Sequence, residues 1–166
     1  MQVFHAYVLY IVLYSLFNSS EEAVIFGYVN TARLYAWEIF IVNKCGFILP
    51  YIVSHLHGHK VHIRGIFHTM TEILMYFVFT SIIGWIKDAR IFLGDNKLPI
   101  NPSGHTFILL NGMHILLNVN RSIPIVILIY EYHRVLIHTV EYYHTFIDIF
   151  IGVAMHYAYR YILSCI

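Results

Sequence analysis

The chain has 166 residues, 59% of them hydrophobic and only 11% charged, with a formal net charge of +1. A soluble domain carries about a quarter charged residues, so this chain has too little charge to cover a water-facing surface, and a soluble globular class is excluded. The balanced charge leaves no basic field, so no nucleic-acid partner is expected.

Six apolar stretches can be drawn along the chain, roughly Val3 to Phe17, Tyr35 to Val53, Phe67 to Ile86, His105 to Val119, Ile123 to Tyr142 and Thr145 to Leu163. A helix needs about 20 apolar residues, within a range of about 17–25, to cross a bilayer. The first and fourth stretches are short by that measure. The reading is an all-α, polytopic membrane helix bundle with about six transmembrane helices, forming one integral membrane domain over residues 1–166; five to seven spans are allowed. Aromatic residues, 17% of the chain, suit membrane interfaces.

The amino terminus has no basic start and no small-residue cleavage site, so the first span is expected to be retained. The connection from Asn18 to Leu34 holds Glu21, Glu22 and Arg33. The next, from Ser54 to Ile66, holds Lys60, Arg64 and the histidines His55, His57, His59 and His62. That tract looks like a metal site, but its spacing matches none and it lacks Cys and carboxylate, so it reads as a solvated loop. Cys45 and Cys165 form no metal or redox spacing and read as buried small hydrophobes. No metal and no cofactor is expected. With six spans, Lys and Arg divide evenly between the two sides, so orientation does not follow from charge.

The third connection leads into Pro102-Ser103-Gly104-His105-Thr106-Phe107. Pro and Gly fix a turn, and a helix begins directly after it. Amides at a helix start favour an anion, Ser103 can add a hydroxyl, and His105 sits beside that phosphate-sized place. The same residues also fit a plain loop-to-helix cap holding a structural histidine. Farther along, His144-Thr145-Phe146-Ile147-Asp148 sets an imidazole and a carboxylate at i and i+4, on one helix face. A carboxylate bonded to one ring nitrogen fixes the tautomer and makes the other nitrogen more basic. One span leaves the His105 side and the next returns to it, so the two histidines share a membrane face. They can divide the work of nucleophile and leaving-group acid. An interfacial histidine with an unrelated Asp is the competing reading.

The fifth stretch carries Glu131, Arg134, His138 and Glu141 on one helical stripe. Arg134 or His138 could clamp phosphate oxygens; a ladder of pairs, Glu131 with Arg134 and His138 with Glu141, explains them equally. Asn111, His114 and Asn118 on the fourth stretch read as interhelical hydrogen-bonding groups. The last two stretches abut with neither Gly nor Pro between Ile125 and Ile151, so a break near Glu141-Tyr142-Tyr143-His144 is inferred from length alone.

Over Pro102 to Phe107 and Tyr142 to Asp148 the chain resembles two related membrane phosphohydrolase families. One is the type-2 phosphatidic acid phosphatases, with Pro-Ser-Gly-His and a later His-x-x-x-Asp. The other is the fat storage-inducing transmembrane family, with Ser-Gly-His-Ser/Thr-Phe and then Tyr-Phe/Tyr-His-Asn/Thr before a glycine-containing last span. Ser103 to Leu109, Tyr142 to Thr145, Ile151-Gly152-Val153 and the aromatic tail Tyr157 to Tyr161 follow the second pattern. The similar region covers about residues 87–163. In the phosphatases an Arg stands six residues before the second histidine; His138 stands there here. Their first motif is a Lys followed seven residues later by Arg-Pro, a spacing that Lys87, Arg90 and Lys97-Leu98-Pro99 do not match. Asp148 and Pro102 agree better with the phosphatase pattern.

The fat storage-inducing resemblance implies a six-span protein of the endoplasmic reticulum membrane. Its site would face the lumen and cleave the diphosphate of fatty acyl-CoA, in support of lipid-droplet formation and lipid homeostasis. His144 would be the nucleophile, His105 the leaving-group acid and Asp148 the orienter. Ser103 and Gly104 would cradle the phosphate, with Arg134 and His138 as further substrate contacts. The expected partners are the membrane and a lipid substrate, fatty acyl-CoA or a related lipid phosphate. A lipid phosphate monoesterase and a non-enzymatic lipid-binding or droplet-shaping protein are the alternatives. No protein partner follows from the sequence.

Overall fold

The computed structural model describes residues 2–19, 45–56, 63–92, 99–119 and 122–166. The acidic connection with Glu21, Glu22 and Arg33, residues 35–44 of the second apolar stretch, Lys60, Lys97 and His57, His59 and His62 lie outside the described residues, as does the side chain of His55. Among the described residues the structure is helical throughout: α1 (Gln2–Asn18), α2 (Leu49–Leu56), α3 (Ile63–Asp88), α4 (Gly104–Leu116), α5 (Ile123–Tyr142) and α6 (Phe146–Ser164). Apolar segments in lipid must satisfy their own backbone amides, which a helix does without help from neighbours.

Among the described residues, three helices are long and apolar enough to cross a membrane: Thr69–Asp88 within α3, α5 and α6. α1, with 17 residues, is apolar but shorter, and α4 has only 13. The inferred break between the last two apolar stretches falls where α5 ends at Tyr142 and α6 starts at Phe146, with Thr145 as its N-cap.

Side-chain contacts set the directions. The Tyr7 hydroxyl meets His133 Nδ1 at 3.2 Å and the Tyr14 hydroxyl donates to Glu141, so α1 runs alongside α5 in the same direction. His5 Nδ1 reaches the Tyr157 hydroxyl at 3.0 Å, which ties the start of α1 to the latter half of α6. The end of α5 and the starts of α4 and α6 therefore gather at one end of the bundle.

α4 lies innermost, packed by α1, α2, α5 and α6. Its Phe107, Leu109, Leu110, Met113 and Leu116 are all buried. Gly112 permits this: a Cβ there would stand 2.2 Å from Cε2 of Tyr132 on α5 and 3.1 Å from Pro50 Cγ on α2. Tyr132 is held in turn by donating its hydroxyl to the Gly46 carbonyl at 2.6 Å. α3 shows the opposite habit. Phe67, Met70, Leu74, Phe77 and Trp85 are exposed along one side, while Phe79 and Ile83 turn inward; an apolar outer face at helical spacing is what lipid contact requires.

Two sequence expectations are corrected here. Cys45 is half-buried and Cys165 is exposed, so neither is a core residue; Cys165 follows the last turn of α6 and has no helix to pack against. The bundle also holds a part-buried ion pair that the sequence did not pair up: half-buried Arg160 donates from Nη1 to buried Glu72 Oε1 at 3.0 Å. Glu72 further accepts from the Tyr51 hydroxyl, and its backbone carbonyl from the Tyr159 hydroxyl at 3.0 Å. A carboxylate in a low-dielectric interior needs such partners.

Gly112→Ala is expected to destabilise the purified protein by about 1–3 kcal/mol, because the Tyr132 ring must leave its place. Gly84→Ala, where an added Cβ meets nothing within 4 Å, should leave stability unchanged or slightly raised. Thermal unfolding of both variants in detergent checks this; equal melting temperatures would show that the α4–α5 approach is not tight.

Candidate active site

The sequence around Ser103 starts a helix for local reasons. Ser103 is the N-cap of α4: its Oγ accepts from the Thr106 amide at 3.1 Å and from the Thr106 hydroxyl at 2.8 Å, which satisfies an amide the helix itself leaves open. The Ser103 carbonyl takes the Phe107 amide at 3.1 Å. The cap reading of this motif is thus realised, with Ser103 fully buried and the Gly104 and His105 amides ahead of the capped ones at the positive end of the helix.

The second motif builds the start of α6 in the same way. Thr145 and Asp148 form a capping box. The Asp148 amide faces Thr145 Oγ1 at 3.4 Å, while Asp148 Oδ2 accepts from the Thr145 amide and hydroxyl, both at 3.0 Å. Asp148 also crosses to the first motif. Its Oδ1 accepts the Asn101 amide at 2.6 Å, and its carbonyl accepts the Ser103 amide at 3.0 Å. Gly152, one turn on, lets the two segments close up, since a Cβ there would lie 2.8 Å from the Ser103 carbonyl oxygen.

The result brings His105, on the first turn of α4, beside His144, in the connection between α5 and α6. Their ring centroids are 6.5 Å apart with the planes inclined at 58°, close enough for both to reach one phosphate-sized group. His144 is buried and His105 half-buried. His144 Nδ1 stands 3.8 Å from Asp148 Oδ2. That is an ion-pair distance and too long for the expected tautomer-fixing hydrogen bond, because Oδ2 is turned toward Thr145. Burial pushes the His144 imidazole below its ordinary value, against the upward pull of the Asp148 carboxylate and of a hydrogen bond with the Asn101 backbone.

Lys87, at the end of α3, acts electrostatically on His105, on His144 and on Asp148. The sequence offered it only as a motif fragment with the wrong spacing. The missed signal was parity: the third apolar stretch ends at Lys87 on the side where the fourth begins. The Thr145-x-x-Asp148 capping box was also readable from the pattern alone.

The two expected clamp residues, Arg134 and His138, both lie on α5. Arg134 donates from Nε and Nη2 to Glu131 Oε2 at 3.2 and 3.0 Å, and it lies about 12 Å by helical rise from the end of α5. His138 packs against Tyr142 and Tyr143, at ring separations of 4.8 and 5.8 Å. Glu141, its possible partner by spacing, accepts from Tyr14.

Asp148→Asn is expected to lower stability by about 1–3 kcal/mol, because its amide group turns a donor toward the Asn101 or the Thr145 amide. Thr145→Ala should cost about 0.5–2 kcal/mol as a lost cap, and the two effects should be non-additive in the double variant. Additive losses in thermal unfolding would show that Asp148 and Thr145 act independently.

Compared with protein-family models, with curated proteins and with solved structures, the chain gives no match.

Proposed function

We propose that this chain is a membrane phosphohydrolase that cleaves the diphosphate of a fatty acyl-CoA-like lipid. The observation that carries the reading is the meeting of His105 and His144, 6.5 Å apart, beside the Lys87 charge and at one end of a bundle with three span-length helices. In this reading a His144 ring nitrogen attacks phosphorus and forms an N–P bond as the anhydride P–O bond breaks. The departing oxygen takes a proton from His105; burial and the His144 and Lys87 charges hold that imidazole down to about 4, so the donor is its minor, protonated form. Water then attacks the phosphohistidine, gives a proton to His105 and releases free His144. The Lys87 ammonium and the Gly104 amide at the helix start balance charge that builds on the phosphoryl oxygens. Asp148 holds the two motifs in register and supports the imidazolium by charge.

The acyl chain would stay in the apolar bundle or the lipid beside it while the nucleotide faces water. The products would be acyl phosphopantetheine and adenosine 3′,5′-bisphosphate, as the resemblance to the fat storage-inducing family implies. The same reading makes the protein a six-span resident of the endoplasmic reticulum membrane with its site toward the lumen, serving lipid-droplet formation. Lys87 favours one second reading. A cation at the site partly meets the need left by the missing Arg at position 138, so a lipid phosphate monoesterase acting on phosphatidic acid also fits.

Purified protein in detergent, offered oleoyl-CoA and phosphatidic acid separately, separates the two. Release of adenosine 3′,5′-bisphosphate is expected, and His144→Ala and His105→Ala should each lower turnover by about 10²–10⁴-fold. Phosphate from phosphatidic acid alone would make it a monoesterase, and turnover of neither would remove both enzyme readings.

The pH profile gives a further check. A lowered His144 stays unprotonated below the ordinary imidazole value of about 6.5, so the acidic limb of kcat/KM is expected below that pH. The Asp148 carboxylate pulls the other way, so Asp148→Asn should move the limb lower still. An upward movement would assign the limb to another group.

A further inference from the structure

A second pair of histidines lies deeper in the bundle. His114 and His156 are each ten residues from the start of their helices, α4 and α6. Both helices start at the same end, so the pair sits about 15 Å below the His105–His144 level by helical rise. His156 is fully buried. The rings are 6.0 Å apart between centroids, and Phe4 of α1 packs on both, at 4.8 and 5.2 Å. Among the described residues, His114 Nδ1 and His156 Nε2 are buried with no hydrogen-bond partner. A buried polar atom with no partner calls for an explanation, and an ion is one.

The tautomer of His156 is fixed by its neighbour. Asn111 donates its Nδ2 to the Phe107 carbonyl at 2.8 Å, which leaves Oδ1 as the atom 3.0 Å from His156 Nδ1. His156 Nδ1 therefore carries the proton and donates it, and Nε2 presents a bare lone pair. A histidine that donates one ring N–H to a fixed oxygen and offers the other nitrogen has the arrangement of a metal ligand with its supporting shell.

We propose that His114 and His156 form a two-imidazole site for a monovalent copper ion. Two observations select this ion class. Among the described residues no group of three His, Cys, Asp or Glu could hold a metal, which disfavours a tetrahedral zinc site. The ring separation of 6.0 Å leaves room for an ion about 2.0–2.1 Å from one nitrogen of each. Charge points the same way. The Arg160 and His5 side chains act electrostatically on both rings. Arg160 is paired with Glu72, and His5 is engaged by Tyr157. Among the described residues no carboxylate groups with the pair to offset a divalent ion, so a single positive charge is the smaller cost.

The test titrates detergent-purified protein with Cu(I), anaerobically and against a chromophoric Cu(I) chelator. It uses a background in which His55, His57, His59 and His62 are Asn, so that the histidine-rich loop does not contribute. One tightly held Cu(I) per chain is expected, with X-ray absorption showing two nitrogen neighbours. His114→Asn and His156→Asn should each abolish retention. Asn111→Leu, which keeps both ligands, should weaken it about 10–100-fold. Melting temperatures report whether each variant is folded. No retained Cu(I), or equal retention by the His114→Asn/His156→Asn double variant, would overturn the site and leave a bridging water as the occupant. Hydrolysis is not a readout here, so the outcome is independent of the proposed reaction.

Discussion

The Asp148 carboxylate and carbonyl hold together two segments that lie more than forty residues apart in the chain. One oxygen closes the cap of α6 through Thr145; the other and the backbone reach Asn101 and Ser103, just ahead of α4. A single buried carboxylate thus serves amides from two helix starts, and charge-assisted bonds of this kind are roughly twice as strong as neutral ones. His105 follows the first segment and His144 precedes the second, so their separation is set by this junction. Gly152 allows the approach, and Ser103 turns its hydroxyl to Thr106 to finish the cap.

The rest of the bundle follows the same physical rule. Lipid offers no hydrogen bonds, so each polar side chain inside must find a partner among the helices. Glu72 collects Arg160 and Tyr51, Glu131 collects Arg134, and Tyr14 meets Glu141. These contacts join α1, α2, α3, α5 and α6, and most pair a charge with a hydroxyl or an opposite charge. Among the described residues, Nδ1 of His114, Nδ1 of His144 and Nε2 of His156 are buried nitrogens without a hydrogen-bond partner.

For the proposed reaction, the consequence is a site whose histidines are placed by backbone capping. His144 Nδ1 and Asp148 Oδ2 interact through charge at 3.8 Å, and Lys87 of α3 acts electrostatically on both rings. Arg134, on the α5 stripe, is committed to Glu131 two turns from the helix end.

Much of the fold was legible in the sequence because it depends on quantities a sequence carries. Apolar runs of sufficient length become helices in any apolar setting, and α3, α5 and α6 lie where those runs lie. A His and an Asp four residues apart share a helix face by geometry alone. One helix leading away and the next returning brings His105 and His144 to one side. What tertiary structure alone decided was partner choice. The i, i+4 spacing allowed a His144–Asp148 hydrogen bond, but the Asp148 oxygens went to Asn101 and Thr145, since amides at a helix start compete for the same acceptor. Glu72 and Arg160 are 88 residues apart in the chain, and no periodicity links them. Lys87 and Asp148, on helices three elements apart, act on each other electrostatically because α3 ends toward the start of α6. Spacing fixes which side chains share a face of one helix; which faces meet is settled by packing, and Gly112, against the Tyr132 ring, and Gly152, against the Ser103 carbonyl, mark the places where a close approach decided it.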